Sequence, residues 1–316
     1  MKYISTHTFK SFFVIFFCFM LFIAISKSQS KSVVYVPYTG DKESFINTLK
    51  EKGLITNGFS QLLVQVMLSF KNDLEPGEYV FSKGMGAVST AVALDEPEYK
   101  YVSIPEGYRK GQIADLIGTK LDWEKEKIIT LAEVQPVCPL KGQEGFLASG
   151  TYLIHKEEDA DIVEQTMQDT FQEVIKELGL NKKDISIPQV ITIASLIQRE
   201  AAGKSDMRII SGIIHNRIEI GMPLQIDATL QYIKGDEENW WPAPKAEDKK
   251  LESPYNTYQN IGLPPTPIAT PGKEAIKAAL NPLKTDCIFY LHDKRGNIHC
   301  STTYDQHKKN VRYYLK

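Results

Sequence analysis

The segment "PQVITIASLIQREAAGKSD" (188–206) puts an ionisable carboxyl where an apolar side chain belongs. Ser186 with Gln189 three residues later reads as a capping box, and Pro188 suits a first helical turn. Ile193, Leu196 and Ile197 recur at helical spacing, and the next position on that stripe is Glu200. On a partly desolvated face the ionised form is disfavoured, so the pKa should rise. A carboxylic acid still protonated near neutral pH can act as a general acid. The plain alternative is a glutamate at a helix end that leans into water or pairs with Arg199 or Arg208. Position alone favours that alternative, since perturbed acids mark functional sites only as a tendency.

Two later segments could surround such an acid. "GMPLQIDATLQY" (221–232) alternates Gln225, Asp227 and Thr229 with Leu224 and Ile226. "SPYNTYQNIGLPPTPIATPG" (253–272) is rich in proline and has no periodic pattern. A segment that long without regular structure is usually functional or disordered, and its prolines and aromatic residues argue against disorder. Tyr255, Asn256, Thr257 and Tyr258 offer hydroxyls, an amide and flat rings, a set that suits a carbohydrate groove. They equally suit a rigid loop whose tyrosines pack on the core.

These residues need a scaffold, and 316 residues with 42% hydrophobic content suffice for one large or two modest cores. The net charge of −2 argues against a nucleic-acid binder, which would usually be basic. No Cys-x-x-Cys or His-Glu-x-x-His occurs, and the six scattered histidines read as ordinary polar residues, so neither a metal nor a cofactor is expected.

Lys2 and Lys10 precede an unbroken apolar run from Phe12 to Ile25. It is short for a membrane-spanning helix and fits a signal-peptide core, with Ala24-Ile25-Ser26 as a passable cleavage site. Cleaved signal or short anchor, both readings put residues 27–316 outside the cytoplasm. Cys18 lies mid-run without a small residue before it and does not read as lipidated. An exported chain could oxidise its cysteines. In "CIFYLHDKRGNIHC", however, a hairpin around "DKRG" sets His292 opposite Asn297 and Phe289 opposite Cys300. Cys287 is then diagonal to Cys300 at roughly 7–8 Å, too far for an unstrained bridge, so free thiols are expected.

Along the chain, "VVYVP" (33–37) reads as a strand followed by a turn and a short helix. "YVSIPEGYRKGQIADLIGTKL" repeats that order, with Gly40, Ile46, Leu49 matched by Gly107, Ile113, Leu116. Small β-α units before about residue 125 and chance similarity are both open. "WEKEKIITLAEV", "ADIVEQTMQDTFQEVIKEL", "RIISGIIHNRIEIGM" and "TPGKEAIKAAL" read as helices, and a Pro- and Gly-bearing loop marks a boundary near 135–150. The order gives an α+β ectodomain.

From residue 144 onward the chain resembles the MltG (YceG-like) family of endolytic murein transglycosylases. The resemblance is carried in order by "EGFLASGTY", "IASLIQRE", "RIISGIIHNRIEIGMPLQIDATLQY", "SPYNTYQNIGLPPTPIATPG", "IKAALNP" and "STTYDQHKKNV". It implies residues 1–30 as a cytoplasmic stub and transmembrane anchor, 31–135 as a LysM-like region, and 136–316 as the catalytic domain. It implies a single-pass protein of the inner (cytoplasmic) membrane with its catalytic domain outside. The partners would be peptidoglycan glycan strands, the membrane and peptidoglycan synthases.

The resemblance makes Glu200 the catalytic acid of a lyase. It would protonate the oxygen linking MurNAc to GlcNAc, then act as base while the sugar's 6-hydroxyl attacks, leaving a 1,6-anhydroMurNAc end. Gln225, Asp227, Tyr255 and Asn256 stand at motif positions and become substrate-positioning candidates. Asn216 and Arg217 are expected to brace helices. The chain departs from the family pattern at Ala148-Ser149-Gly150, at Gln198 and at Thr266. A non-catalytic peptidoglycan-binding scaffold and a hydrolase using Asp227 as base are the rival readings.

Overall fold

The computed structural model describes residues 33–70, 74–82, 85, 89–90, 93–94, 96–133, 143–180 and 186–315. The run Phe12–Ile25, Cys18 and Cys138 lie outside them. No helix among the described residues is long and apolar enough to cross a membrane.

The chain forms two compact units, one of residues through Tyr101 with Leu153–Lys156, the other of Val102–Tyr152 with Glu157–Lys316. The segment 110–132, assigned from sequence to the N-terminal region, thus belongs to the second unit. The boundary expected near 135 falls among residues outside the description.

In the first unit, β1 (Val33–Tyr38) leads into α1 (Lys42–Glu51), α2 (Gly58–Phe70) and β2 (Gly77–Ser82). β1 and β2 pair antiparallel from Val33↔Ser82 to Tyr38↔Gly77, and β2 pairs antiparallel with β3 (Tyr99–Ile104). Strand β4 (Gly150–His155) completes the order β1-β2-β3-β4, and β3 and β4 contribute residues to both units. Alternation buries Val36 and Tyr38 on β1 and Tyr79 and Phe81 on β2, against Phe45 and Leu49 of α1. Gly40 and Gly107 both take positive φ (108° and 80°), each ending a strand before a helix, so the repeated glycine marks the same turn twice.

The second unit is built on helices. α3 (Lys110–Leu121) and α4 (Lys125–Ala132) precede β4, and α5 (Ala160–Glu177) follows it. At the start of α3 the Lys110 N–H donates to Glu144 Oε1 (2.8 Å), supplying a partner for an otherwise orphan amide. Glu144 is buried, and that burial pushes its carboxyl up to about 7 against the N–H groups and the nearby Arg109 charge.

Next come α6 (Ile187–Glu200), α7 (Met207–Glu219), α8 (Asp227–Lys234) and α9 (Lys273–Leu280), then the hairpin β5 (Phe289–His292) and β6 (Ile298–Ser301), and α10 (Tyr304–Tyr314). Helix α6 carries more than one apolar stripe: every residue from Val190 to Ile197 is buried, with α7, α8 and α9 packed around it. Its two central polar residues are satisfied internally. Thr192 donates to Pro188 O, and Ser195 donates to Thr192 O while accepting the Ile268 N–H. Pro188 sits in the first turn, but the Ser186 side chain makes no capping bond, so the expected capping box is absent.

The structure corrects the thiol expectation. Cys287 and Cys300 form a disulfide, with Cα atoms 5.8 Å apart, inside the bridging range. The expected hairpin register is off by one. Asp293 bonds Asn297 across the turn, and the loop is Lys294–Gly296 with Gly296 at φ 81°. A three-residue loop closed by a left-handed glycine is a favoured hairpin geometry. Tyr290, not Phe289, therefore faces Cys300. A one-residue slip moves every side chain of β5 to the other face.

Candidate active site

Glu200 is the last residue of α6, where the helix hands over to the loop "AAGKSD". Buried Asp206 shapes that loop: its carboxylate accepts the Ala202 and Gly203 N–H groups (3.0 and 3.1 Å). The same carboxylate holds His292 Nε2 at 2.6 Å. Two residues earlier on β5, the Tyr290 hydroxyl donates to Glu200 Oε2 at 2.7 Å. Residues two apart share a strand face, so one face of β5 is fixed at two points, to the end of α6 through Glu200 and to the start of α7 through Asp206.

A second element, nearer in sequence, also meets Glu200. Its carboxyl accepts the backbone N–H of Ala228, in the first turn of α8. Asp227, the first residue of that helix, accepts the Tyr258 hydroxyl on Oδ1 (2.6 Å). The segment before α8 is stitched to the proline-rich loop. Gln225 N–H donates to Thr257 O (3.0 Å), Ile226 N–H to Thr257 Oγ1 (2.9 Å), and Thr229 and Thr257 share a hydroxyl bond (3.0 Å). Gln225 takes φ 51°, a left-handed conformation uncommon outside glycine, and it stays exposed. The helix starts at Asp227, so the expected alternation ends there and Thr229 is buried rather than aligned with Gln225 and Asp227.

These groups line a cleft of about 710 Å³ that contains Glu200, Gln225, Asp227, Tyr258, Tyr290 and His292. Burial pushes the Glu200 carboxyl above the usual range. The Tyr290 and Ala228 hydrogen bonds and the His292 charge pull it down, and the Asp227 charge adds to the rise; the net shift is upward. Burial and the adjacent carboxylates hold the Tyr258 and Tyr290 phenols protonated, as donors.

Of the residues singled out from sequence, Glu200, Gln225 and Asp227 come together in this cleft. Tyr255 and Asn256 do not line it. Asn256 is fully buried, its amide donating to Lys249 O and Leu251 O and accepting the Tyr258 N–H, so it shapes the loop that presents Tyr258. The Tyr255 hydroxyl bonds Thr266 Oγ1 (2.7 Å), and its ring packs against Tyr232. Two departures thereby find a use: Thr266 supplies that hydroxyl, and Gln198 Oε1 accepts the Gly272 N–H (3.0 Å). Asn216 and Arg217 brace α7, donating to the carbonyls of Thr285, Cys287 and Ile288, and Arg217 also reaches the cleft.

Sequence reasoning passed over Tyr290, His292 and Asp206 as site residues, and named Tyr258 among the groove groups without carrying it to the substrate-positioning candidates. Only Tyr258 carried a signal, its place in "YNTY". Among the described residues no set of three His, Cys, Asp or Glu side chains could hold a metal ion.

The fold and cleft define an α+β protein with one desolvated, doubly hydrogen-bonded carboxyl between a helix end and a hairpin. Comparison with known proteins gives it a family. The model of the YceG-like family matches residues 34–313. An endolytic murein transglycosylase of Streptococcus pneumoniae (strain ATCC BAA-255 / R6) is 27% identical over 329 aligned positions, covering 90% of this chain. The chain spans 59% of that relative's length. An endolytic murein transglycosylase of Bacillus subtilis (strain 168) is also 27% identical, covering 92% of this chain and 87% of the relative. The crystal structure of a yceG-like protein from Listeria monocytogenes superposes with a TM-score of 0.60 at 26% identity, covering 89% of this chain and 99% of that one. The chain belongs to the YceG-like family.

Proposed function

We propose that this chain is a lytic transglycosylase that cuts peptidoglycan glycan strands internally. The observation that carries the reading is the Glu200 carboxyl, desolvated in an open cleft and shifted toward its protonated form. The names borne by the pneumococcal and Bacillus relatives support the substrate class.

In this mechanism Glu200 gives its proton to the oxygen linking MurNAc to GlcNAc as the bond to the anomeric carbon breaks. Positive charge grows at that carbon, and the Asp227 carboxylate in the same cleft favours it. Glu200 is now a carboxylate, and the Tyr290 hydroxyl and Ala228 N–H are the hydrogen bonds that favour this charged form. The sugar's 6-hydroxyl attacks the anomeric carbon and returns its proton to Glu200. The product carries a 1,6-anhydro ring, and no water is consumed. Gln225 and Asp227 position the substrate, while Tyr255 and Asn256 act through the loop that presents Tyr258.

The finer reading places the chain at the membrane through Phe12–Ile25, alongside peptidoglycan synthases, ending nascent strands. The order β1-α1-α2-β2, with its strands antiparallel, supports a LysM-like glycan-holding role for the first unit. One observation favours a second reading: Asp227 lines the cleft beside Glu200 and could activate a water, making the protein a hydrolase.

Mass spectrometry of purified glycan strands after incubation tests these readings together. Products one water lighter than hydrolysis products are expected from the wild type. Glu200→Gln should be slower by about 10²–10⁴. Reducing ends would move the assignment to the hydrolase, and intact strands to a binding protein.

A further inference from the structure

The cleft has a wall that the acid chemistry does not use. Phe289 of β5 and Tyr304 and His307 of α10 line it on the side of Arg217. The Phe289 ring stacks on His307 with centroids 5.5 Å apart and lies 5.7 Å from Tyr304. Tyr304 is 60% exposed although it belongs to this aromatic cluster. An open ring on a cleft wall offers a flat apolar face to a ligand.

His307 supplies an independent observation. Its Nδ1 is buried and has no hydrogen-bond partner among the described residues. Burial and the Arg217 charge push its pKa down, so the ring is neutral at neutral pH. A neutral imidazole carries one proton, and an orphaned N–H is the rarer and costlier arrangement than an orphaned lone pair. The proton therefore sits on Nε2. With Nδ1 closed off, Nε2 is the ring nitrogen left to donate from this cleft-lining residue.

We propose that Phe289, Tyr304 and His307 form a sugar-binding subsite beside Glu200, in which the Tyr304 ring stacks on one sugar face and His307 Nε2–H donates to a sugar oxygen. The ligand is a hexosamine unit of the glycan strand, flanking the bond that Glu200 cleaves. This rests on the reading of the cleft as a glycan site. The division of labour fits recognition of a pyranose, whose C–H face is apolar while its rim carries oxygens.

The test measures binding of peptide-free glycan-strand tetrasaccharides by calorimetry to full-length Glu200→Gln protein, which does not consume them. Helix α10 has no buried residue, so substitutions on it should leave the fold intact, as checked by circular dichroism. In that background Tyr304→Ala should weaken binding about tenfold, while Tyr304→Phe stays within about twofold, since stacking needs the ring and not the hydroxyl. His307→Phe should weaken binding similarly, and His307→Gln, whose amide N–H reaches about as far as Nε2–H, should recover most of it. Unchanged affinity in Tyr304→Ala, or equal losses in Tyr304→Phe and Tyr304→Ala, overturns the subsite while leaving the glycan reading standing. No tetrasaccharide binding by Glu200→Gln with its wall intact overturns the glycan reading, and the subsite with it.

Discussion

The Tyr290 hydroxyl donates a 2.7 Å hydrogen bond to Oε2 of Glu200, joining residues 90 positions apart. It is the largest of the influences that lower the Glu200 pKa against its desolvation. Tyr290→Phe removes a bond that favours the carboxylate, so the Glu200 pKa should rise further. The rate falls where Glu200 loses its proton, and that alkaline limb should therefore move to higher pH. Positioning is also lost, and the maximal rate should drop roughly tenfold, in line with loss of a charge-assisted bond. A pH–rate profile of cleavage checks this; a limb displaced toward acid would contradict it.

Glu200→Gln should stabilise the fold at neutral pH. The native pKa lies above the ordinary value, so Glu200's favourable state is present below the unfolded pKa and lost as pH rises through the native one. The variant cannot ionise and escapes that loss. Thermal melts at pH 4 and pH 8 should show no gain in acid and a higher Tm for the variant at pH 8. Equal melting temperatures at pH 8 would mean that the site bears no desolvation cost.

Glu144 offers a second pH-dependent contribution, away from the cleft. Its carboxyl is pushed up to about 7 by burial where it accepts the Lys110 N–H. By the same sign, stability should decline between about pH 5 and 8 as this group ionises. The size is on the order of a few kcal/mol. Glu144→Gln keeps an acceptor for Lys110 and should flatten that decline. Urea denaturation at several pH values measures it, and an unchanged slope in the variant would reassign the pH dependence.

The Cys287–Cys300 disulfide closes a loop of sequence separation 13 around the strand that carries Tyr290 and His292. Cross-links of this length typically contribute about 2–4 kcal/mol. Cys287→Ser with Cys300→Ser should lower stability by about that amount and reduce activity, because the face of β5 holding Glu200 and Asp206 loses its tie. Alkylation of the denatured, unreduced protein should leave both cysteines unlabelled. Labelling of both would return the thiols to their free state.

Glu200 was legible in the sequence because helical periodicity is a local code. Ile193, Leu196 and Ile197 define a face, and three or four residues later that face still points inward. The turn glycines Gly40 and Gly107 and most helices were legible for the same reason: short-range sterics and spacing decide them. What meets Glu200 on that face was not. Tyr290 reaches it only because the hairpin closes with a three-residue loop ending in left-handed Gly296, and the alternative turn one residue away sends Phe289 there instead. The cysteines looked unbridgeable because the ladder was extended back to Cys287, whereas β5 begins only at Phe289 and Cys287 lies before the paired strand, with its Cα 5.8 Å from that of Cys300. The loop 253–272 displayed Tyr255, Asn256 and Tyr258 alike, and only packing sorted them, by burying the Asn256 amide among backbone carbonyls and turning Tyr258 toward Asp227. The identity of the acid was thus written in local periodicity. Its partners, its pKa and the walls of its cleft came from register and long-range packing, where a one-residue shift changes which side chain is present.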